Sequence, residues 1–212
     1  MKRLVIATTN PGKAQEIARI LSDLGLEIRS LSDYPPMPEP EETGEGFVEN
    51  AVIKALAAAR HTGEIALADD SGLVIDALGG EPGIYSDRFA GEGATDEDRN
   101  AKVLELMQDV QDRERTARFA AAVAIAGPGG VIFTAEGSVS GYITREPRGK
   151  GGFGYDPIFR VKHLGKTMAE LPPEKKDRIS HRGRALRKAR SFLEAMVRLQ
   201  DGGAFNREKP SS

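Results

Sequence analysis

Apolar residues along this chain change period from one segment to the next, and the changes mark out its elements. Leu4 to Ala7 is a short apolar run of strand character, and beyond the polar turn Thr8-Thr9-Asn10-Pro11-Gly12-Lys13 the residues Ile17, Ala18, Leu21 and Leu24 recur at helical spacing. Leu26 to Leu31 reads as a second strand, followed by a Pro-rich acidic loop from Asp33 to Glu45 and a helix marked by Phe47, Ala51, Ala55 and Ala58. Ile65 to Ala68 is a third strand leading into an Asp69-Asp70-Ser71-Gly72 turn, with another strand from Leu73 to Ile75. A long glycine-rich loop then spans Gly79 to Thr95, and Asp96 starts a helix through Val103, Leu106 and Met107.

The second half changes character. Thr116 to Ala126 and Val131 to Ile143 are β-rich runs on either side of Gly127-Pro128-Gly129-Gly130, the pattern of a long antiparallel hairpin. Pro157 to Val161 suits a further strand, and Glu174 to Leu199 a closing helix whose first half is dense in Lys and Arg. Together these predict an α/β fold, a two-lobed mixed sheet with flanking helices, built as a single domain over residues 1–200 with a flexible tail over 201–212. A cleft between the lobes is the natural ligand site.

Composition narrows the chemistry. Among 212 residues there is no cysteine and there are only three histidines, which excludes disulfides and thiolate metal sites and argues against zinc. The apolar start is too short for a signal peptide and no segment is long enough to span a bilayer, so a cytoplasmic protein without membrane partners is expected. A net charge of −2 gives no general attraction to nucleic acid, and the dense basic cluster is confined to the C-terminal helix region.

Three stretches carry candidate chemistry. Asn10 suits a helix N-cap and Pro11 the first helical position, so the Thr8 to Lys13 turn directs backbone N–H groups at an anion site, to which Lys13 adds charge. It lacks the spaced glycines of a Walker A loop. Asp69 and Asp70 at a strand end suit Mg2+, which takes carboxylate oxygens and shares its remaining positions with water and phosphate; Glu42 and Glu49 are placed to join them. The same Asp-Asp-Ser-Gly sequence also suits an ordinary turn. In Gly149 to Ile158, four glycines surround Phe153, Tyr155 and Asp156, so the loop can be a nucleobase clamp or a hairpin whose aromatics plug the core. Ser180-His181-Arg182-Gly183 offers donors for a carbonyl or a phosphate, without the glycine-flanked elbow of a nucleophilic serine.

Taken in order, Thr8 to Lys13, Glu42-Thr43-Gly44, Glu49-Asn50-Ala51, Ala68 to Leu73, Gly80 to Ser86, Gly152 to Pro157 and Ser180-His181-Arg182 resemble the inosine triphosphate pyrophosphatases. The resemblance implies a homodimer that uses Mg2+ to hydrolyse ITP, dITP and XTP to the monophosphate and pyrophosphate. It implies that Thr8, Thr9, Asn10, Pro11, Gly12 and Lys13 contact the triphosphate, that Glu42 and Asp70 hold the metal, and that Asp70 is the base. Ser71, Phe153, Gly154, Tyr155, Asp156, Lys176, His181 and Arg182 would contact the nucleotide. Gly46 departs from the family's usual Thr and leaves the path of the metal loop less defined. The alternative is a regulator that binds purine nucleotides without turnover, a role for which the acids Glu42, Glu49, Asp69 and Asp70 are not needed.

Overall fold

The computed structural model describes residues 3–202. Six strands, β1 (Arg3–Ile6), β2 (Glu27–Ser30), β3 (Ala66–Ile75), β4 (Thr116–Gly127), β5 (Gly130–Ile143) and β6 (Phe159–Val161), form one sheet in the order β2-β1-β3-β4-β5-β6. β1 pairs in parallel with β2 and β3, and every later pairing is antiparallel. Among the described residues five α-helices accompany it: α1 (Pro11–Leu21), α2 (Phe47–Thr62), α3 (Asp96–Leu106), α4 (Pro173–Ile179) and α5 (His181–Gly202). Among the described residues no helix is long and apolar enough to cross a membrane.

Three apolar clusters explain how the sheet is covered. On one face, Ile17 and Leu21 of α1 and Leu186 and Leu193 of α5 pack on Leu67, Val123 and Ile125. On the other, the alanines of α2 lie on Ala66, Ala68, Ala122 and Ala124, a contact between small side chains that brings the helix close to the strands. At the far end of the long strands, Leu73, Ile75, Phe119 and Phe159 join Met107 and Met168 in a separate cluster. The first two clusters cover the two faces of one lobe and the third forms the other, and residues 69–72 of β3 cross between them.

That crossing is where the sequence reading needs correction. Asp69-Asp70-Ser71-Gly72 is not a turn but the middle of the unbroken strand β3, paired residue for residue with Val123 to Ala120 of β4. The partner strand presents only small residues over most of this stretch, so polar positions can run through the sheet without a break in its ladder. The closing helix also differs. It divides at Ser180, whose backbone is extended (φ −64°, ψ 159°) and whose hydroxyl accepts from Gly183 N at 3.0 Å, capping α5. α5 then continues to Gly202, two residues into the segment expected as a tail; residues 203–212 lie outside the described residues. The expected Gly79 to Thr95 loop contains a 3-10 helical stretch over Gly83–Arg88.

That 3-10 stretch rests directly on β3. A Cβ on Gly72 would lie 2.2 Å from Gly83 O and 2.4 Å from Ser86 Oγ, while Ser86 Oγ itself accepts from Leu73 N at 3.0 Å. Gly72→Ala is therefore expected to destabilise the protein by about 1–3 kcal/mol through overpacking, measured as a lower urea midpoint with an unchanged slope. An unaltered midpoint would contradict this close approach.

Candidate active site

The first turn of α1 forms as its sequence predicts. Asn10 is extended, its side-chain oxygen accepts from Lys13 N at 3.0 Å, and Pro11 stands in the first turn, where a missing N–H costs nothing. Asn10 N in turn donates to Thr8 Oγ1 at 3.2 Å. Thr8, Thr9, Asn10 and Lys13 line a cavity of 120 Å3 whose opposite wall includes Glu42 and Lys54. Gly12 faces elsewhere: a Cβ there would come within 2.6 Å of the Phe153 ring.

Asp69 and Asp70 are split by the alternation of β3, which sends successive side chains to opposite faces of the sheet. Asp69 faces α1 and α5. Its Oδ2 accepts from Arg182 Nε at 2.9 Å and from Ser71 Oγ at 3.1 Å, while Oδ1 is buried without a hydrogen bond and lies 3.9 Å from Lys13 Nζ. Burial works against this charge, but Arg182 and Lys13 outweigh it and hold the carboxyl well below the usual carboxylate range. Asp70 faces α2, where Lys54 Nζ lies 2.6 Å from its Oδ1 and 3.0 Å from Glu42 Oε1. Burial raises the Asp70 pKa above its ordinary value, and Lys54 only partly offsets it. The two adjacent acids thus have opposite electrostatics.

Across the sheet from Lys54 is a buried ionic network. Arg182 donates to Asp69, to Glu16 Oε2 at 2.6 Å and to Ser71 Oγ at 2.8 Å, and Lys176 pairs with Glu16 Oε1 at 2.7 Å and with Asp156. Asp156 also accepts from Phe153 N at 3.0 Å, so it braces the glycine loop. Gly152 has φ +74° and would place a Cβ 2.0 Å from that carboxylate, which makes glycine the residue this turn requires. Above the network sits Phe153, with Lys176 Nζ 4.4 Å and Arg182 Cζ 5.4 Å from its ring centroid.

Phe153, Asp156, Lys176, His181 and Arg182 line a second cavity of 60 Å3, which shares Asn10 and Lys13 with the first. Pockets that enclose drug-sized ligands measure roughly 300–1,000 Å3, so a purine enters here only if Phe153 or its loop gives way. Gly154 is tied to α3 by Asp96 and Asn100, at 2.6 and 3.1 Å. Tyr155 belongs to the far apolar cluster, and its hydroxyl donates to Ser86 O at 2.8 Å. A larger groove of 820 Å3 beside the β5 edge contains none of the sequence-predicted residues.

Most candidates therefore converge on two adjoining cavities at the lobe junction. Glu49 does not join the acids; it stays exposed on the first turn of α2, its carboxylate near Gly46, and its neighbour Asn50 reaches Asp70 at 3.4 Å instead. Sequence reading missed Glu16 and Lys54. Both had a signal, because Glu16 lies three residues from Lys13 and Lys54 four from Asn50, polar pairs at helical spacing within otherwise apolar faces.

A model of the Ham1 family matches residues 4–192. The chain belongs to the Ham1 family. A dITP/XTP pyrophosphatase from Desulforamulus reducens is 54% identical over 191 residues, covering 90% of this chain and 95% of its own. The dITP/XTP pyrophosphatase of Bacillus subtilis is 50% identical over 195 residues, 92% of this chain and 98% of its own. Among solved structures, a HAM1 protein from Coxiella burnetii superposes with a TM-score of 0.83 at 44% identity, covering 92% of this chain and all of that one.

The donor set of this Ham1 chain fits the metal that the resemblance implies. Glu42 and Asp70 both contact one ammonium, so two hard oxygen donors already face a shared positive charge beside a cavity suited to a phosphate chain. Among the described residues no group of three or more Asp, Glu or His forms a ready metal cage. Water and substrate oxygens would complete such a site.

His181 is buried at the start of α5, stacked on Phe119 with centroids 4.7 Å apart, and its Nδ1 has no partner. Burial first, then Arg182 and Lys176, hold the imidazole well below its usual 6.5. A depressed histidine leaves stability unaffected above the unfolded pKa and lowers it as pH falls, because only the unfolded chain then binds the proton. Between pH 7 and 5 stability should fall with a His181-dependent slope approaching 1.4 kcal/mol per pH unit below about 6.5. His181→Asn should lose that component in urea titrations; parallel pH profiles for the two proteins would contradict it.

Proposed function

We propose that this Ham1-family chain hydrolyses non-standard purine nucleoside triphosphates, ITP, dITP and XTP, to the monophosphate and pyrophosphate. The observation that carries the reading is the adjoining pair of cavities. One offers a capped helix N-terminus, Lys13, Glu42, Asp69 and Lys54, whose ammonium links the cavity to Asp70, and the other offers an aromatic ring beside buried donors. The activity named for its relatives is the same.

In this reading Glu42 and Asp70 hold Mg2+, which when bound offsets phosphate charge and acidifies a nearby water. The α1 N-terminus and Lys13 bind the triphosphate and stabilise the charge of the departing pyrophosphate. Water attacks the α-phosphorus, the bond from that phosphorus to the bridging oxygen breaks, and Asp70 receives the proton. An aspartate is a weak base at neutral pH, so the transfer would rely on the acidified water. Phe153 stacks on the base.

Selectivity follows from donors. His181 is held neutral and can offer one N–H, and the guanidinium of Arg182 is fixed by Asp69, Glu16 and Ser71 with its remaining N–H groups available. A carbonyl at purine position 6 satisfies such donors, whereas the amine of adenine leaves them unpaired, at about 1–3 kcal/mol per contact. The Mg2+ requirement, a homodimeric state and a cytoplasmic location are parts of the same proposal, drawn from the resemblance.

Pyrophosphate release from a purine triphosphate panel, with and without Mg2+, tests it. ITP and XTP should be turned over with kcat/KM at least about tenfold above ATP, and only with the metal. Equal use of ATP and ITP would overturn the donor argument. Tight ITP binding without pyrophosphate release would replace the enzyme by the regulator.

A further inference from the structure

Lys54 projects from α2 between two acids supplied by other segments, Glu42 from the irregular stretch before α2 and Asp70 from mid-β3. The ammonium contacts Glu42 at 3.0 Å and Asp70 at 2.6 Å, and its side chain is only 17% exposed. One turn earlier on the same helix, Asn50 is fully buried. It donates to Asp70 at 3.4 Å and accepts from Gly44 N at 2.9 Å, so it fixes both the acid loop and β3 against α2. Lys54 is thus held on a braced frame.

We infer that Lys54 is a displaceable counter-ion that occupies the metal position until nucleotide arrives, so that metal and triphosphate bind cooperatively. This rests on the reading of Glu42 and Asp70 as metal holders. A divalent cation entering alone must evict an ammonium into a partly buried cavity where Lys13 already stands, and repulsion between the cations opposes it. When a triphosphate enters the same cavity, the displaced Lys54 gains phosphate oxygens as partners. Each ligand therefore removes the penalty of the other, and the coupling is reciprocal.

The test is Mn2+ binding followed by electron paramagnetic resonance, with and without a non-hydrolysable ITP analogue. Wild type should bind Mn2+ weakly alone and roughly tenfold or more tightly with the analogue, the scale of removing one nearby unit charge under partial screening. Lys54→Met should bind Mn2+ alone at least about tenfold more tightly than wild type, so that the analogue adds correspondingly less. Lys54→Arg, which keeps the charge, should retain weak metal binding alone; thermal melting of each variant verifies folding. If Lys54→Met binds Mn2+ no more tightly than wild type, while Glu42→Gln in the same background still abolishes binding, the counter-ion role is overturned and the metal site stands. If Glu42→Gln and Asp70→Asn both leave Mn2+ affinity unchanged, the metal site itself is wrong.

Discussion

Successive side chains of β3 leave the sheet on opposite faces, and nearly everything in the site follows from where that alternation places Asp69 and Asp70. Asp69 is turned toward the side covered by α1 and α5, where a guanidinium and an ammonium lower its pKa and fix it as a charged anchor. Asp70 is turned toward α2, where burial raises its pKa and Lys54 pairs with it. A one-residue slip in the β3–β4 register would exchange these roles. The small residues opposite, Ala120 to Ala122, leave room on both faces for the polar groups.

The ionic network on the Asp69 side joins segments far apart in the chain. Glu16 from α1 receives Arg182 from α5 and Lys176 from α4, and Lys176 reaches Asp156 in the glycine loop. Desolvating so many charges is costly, and breaking such a pair costs about 3–5 kcal/mol because the remaining partner is stranded. The network's use is geometric: it sets Arg182 and Lys176 in fixed relation to α1 and the Thr8–Lys13 turn. The break at Ser180 serves the same end, since it starts α5 at the cleft, so that His181 and Arg182 occupy its first turn there.

Much of this was legible from local pattern. The N-cap at Asn10, the α2 alanine stripe and the β4–β5 hairpin all announce themselves, because capping chemistry, periodicity and turn glycines act over a few residues. The residues that eluded local reading depend on distant partners. Asp69-Asp70-Ser71-Gly72 resembles a turn until β4 is laid beside it, and the Ser180 break lies in a sequence with no proline or obvious stop. Lys54 and Glu16 show in the sequence only as polar residues one helical turn from Asn50 and Lys13; the fold reveals that each faces two charges from other segments. Phe153 and Tyr155, indistinguishable by composition, part ways because Tyr155 is drawn into the apolar cluster while Phe153 rests on Gly12 at the cleft.

The central claim is that two adjacent aspartates do unlike work, and comparing Asp69→Asn with Asp70→Asn in paired melting and pyrophosphate-release measurements tests it most directly. Asp70→Asn should fold with near wild-type stability, since Glu42 still neutralises Lys54, yet lose turnover by roughly 10²–10⁴-fold. Asp69→Asn should lose about 1–3 kcal/mol of stability, because the buried Arg182 keeps Glu16 but loses its second carboxylate and Lys13 loses a neighbouring charge. Near-normal turnover in Asp70→Asn, or unchanged stability in Asp69→Asn, would contradict the account.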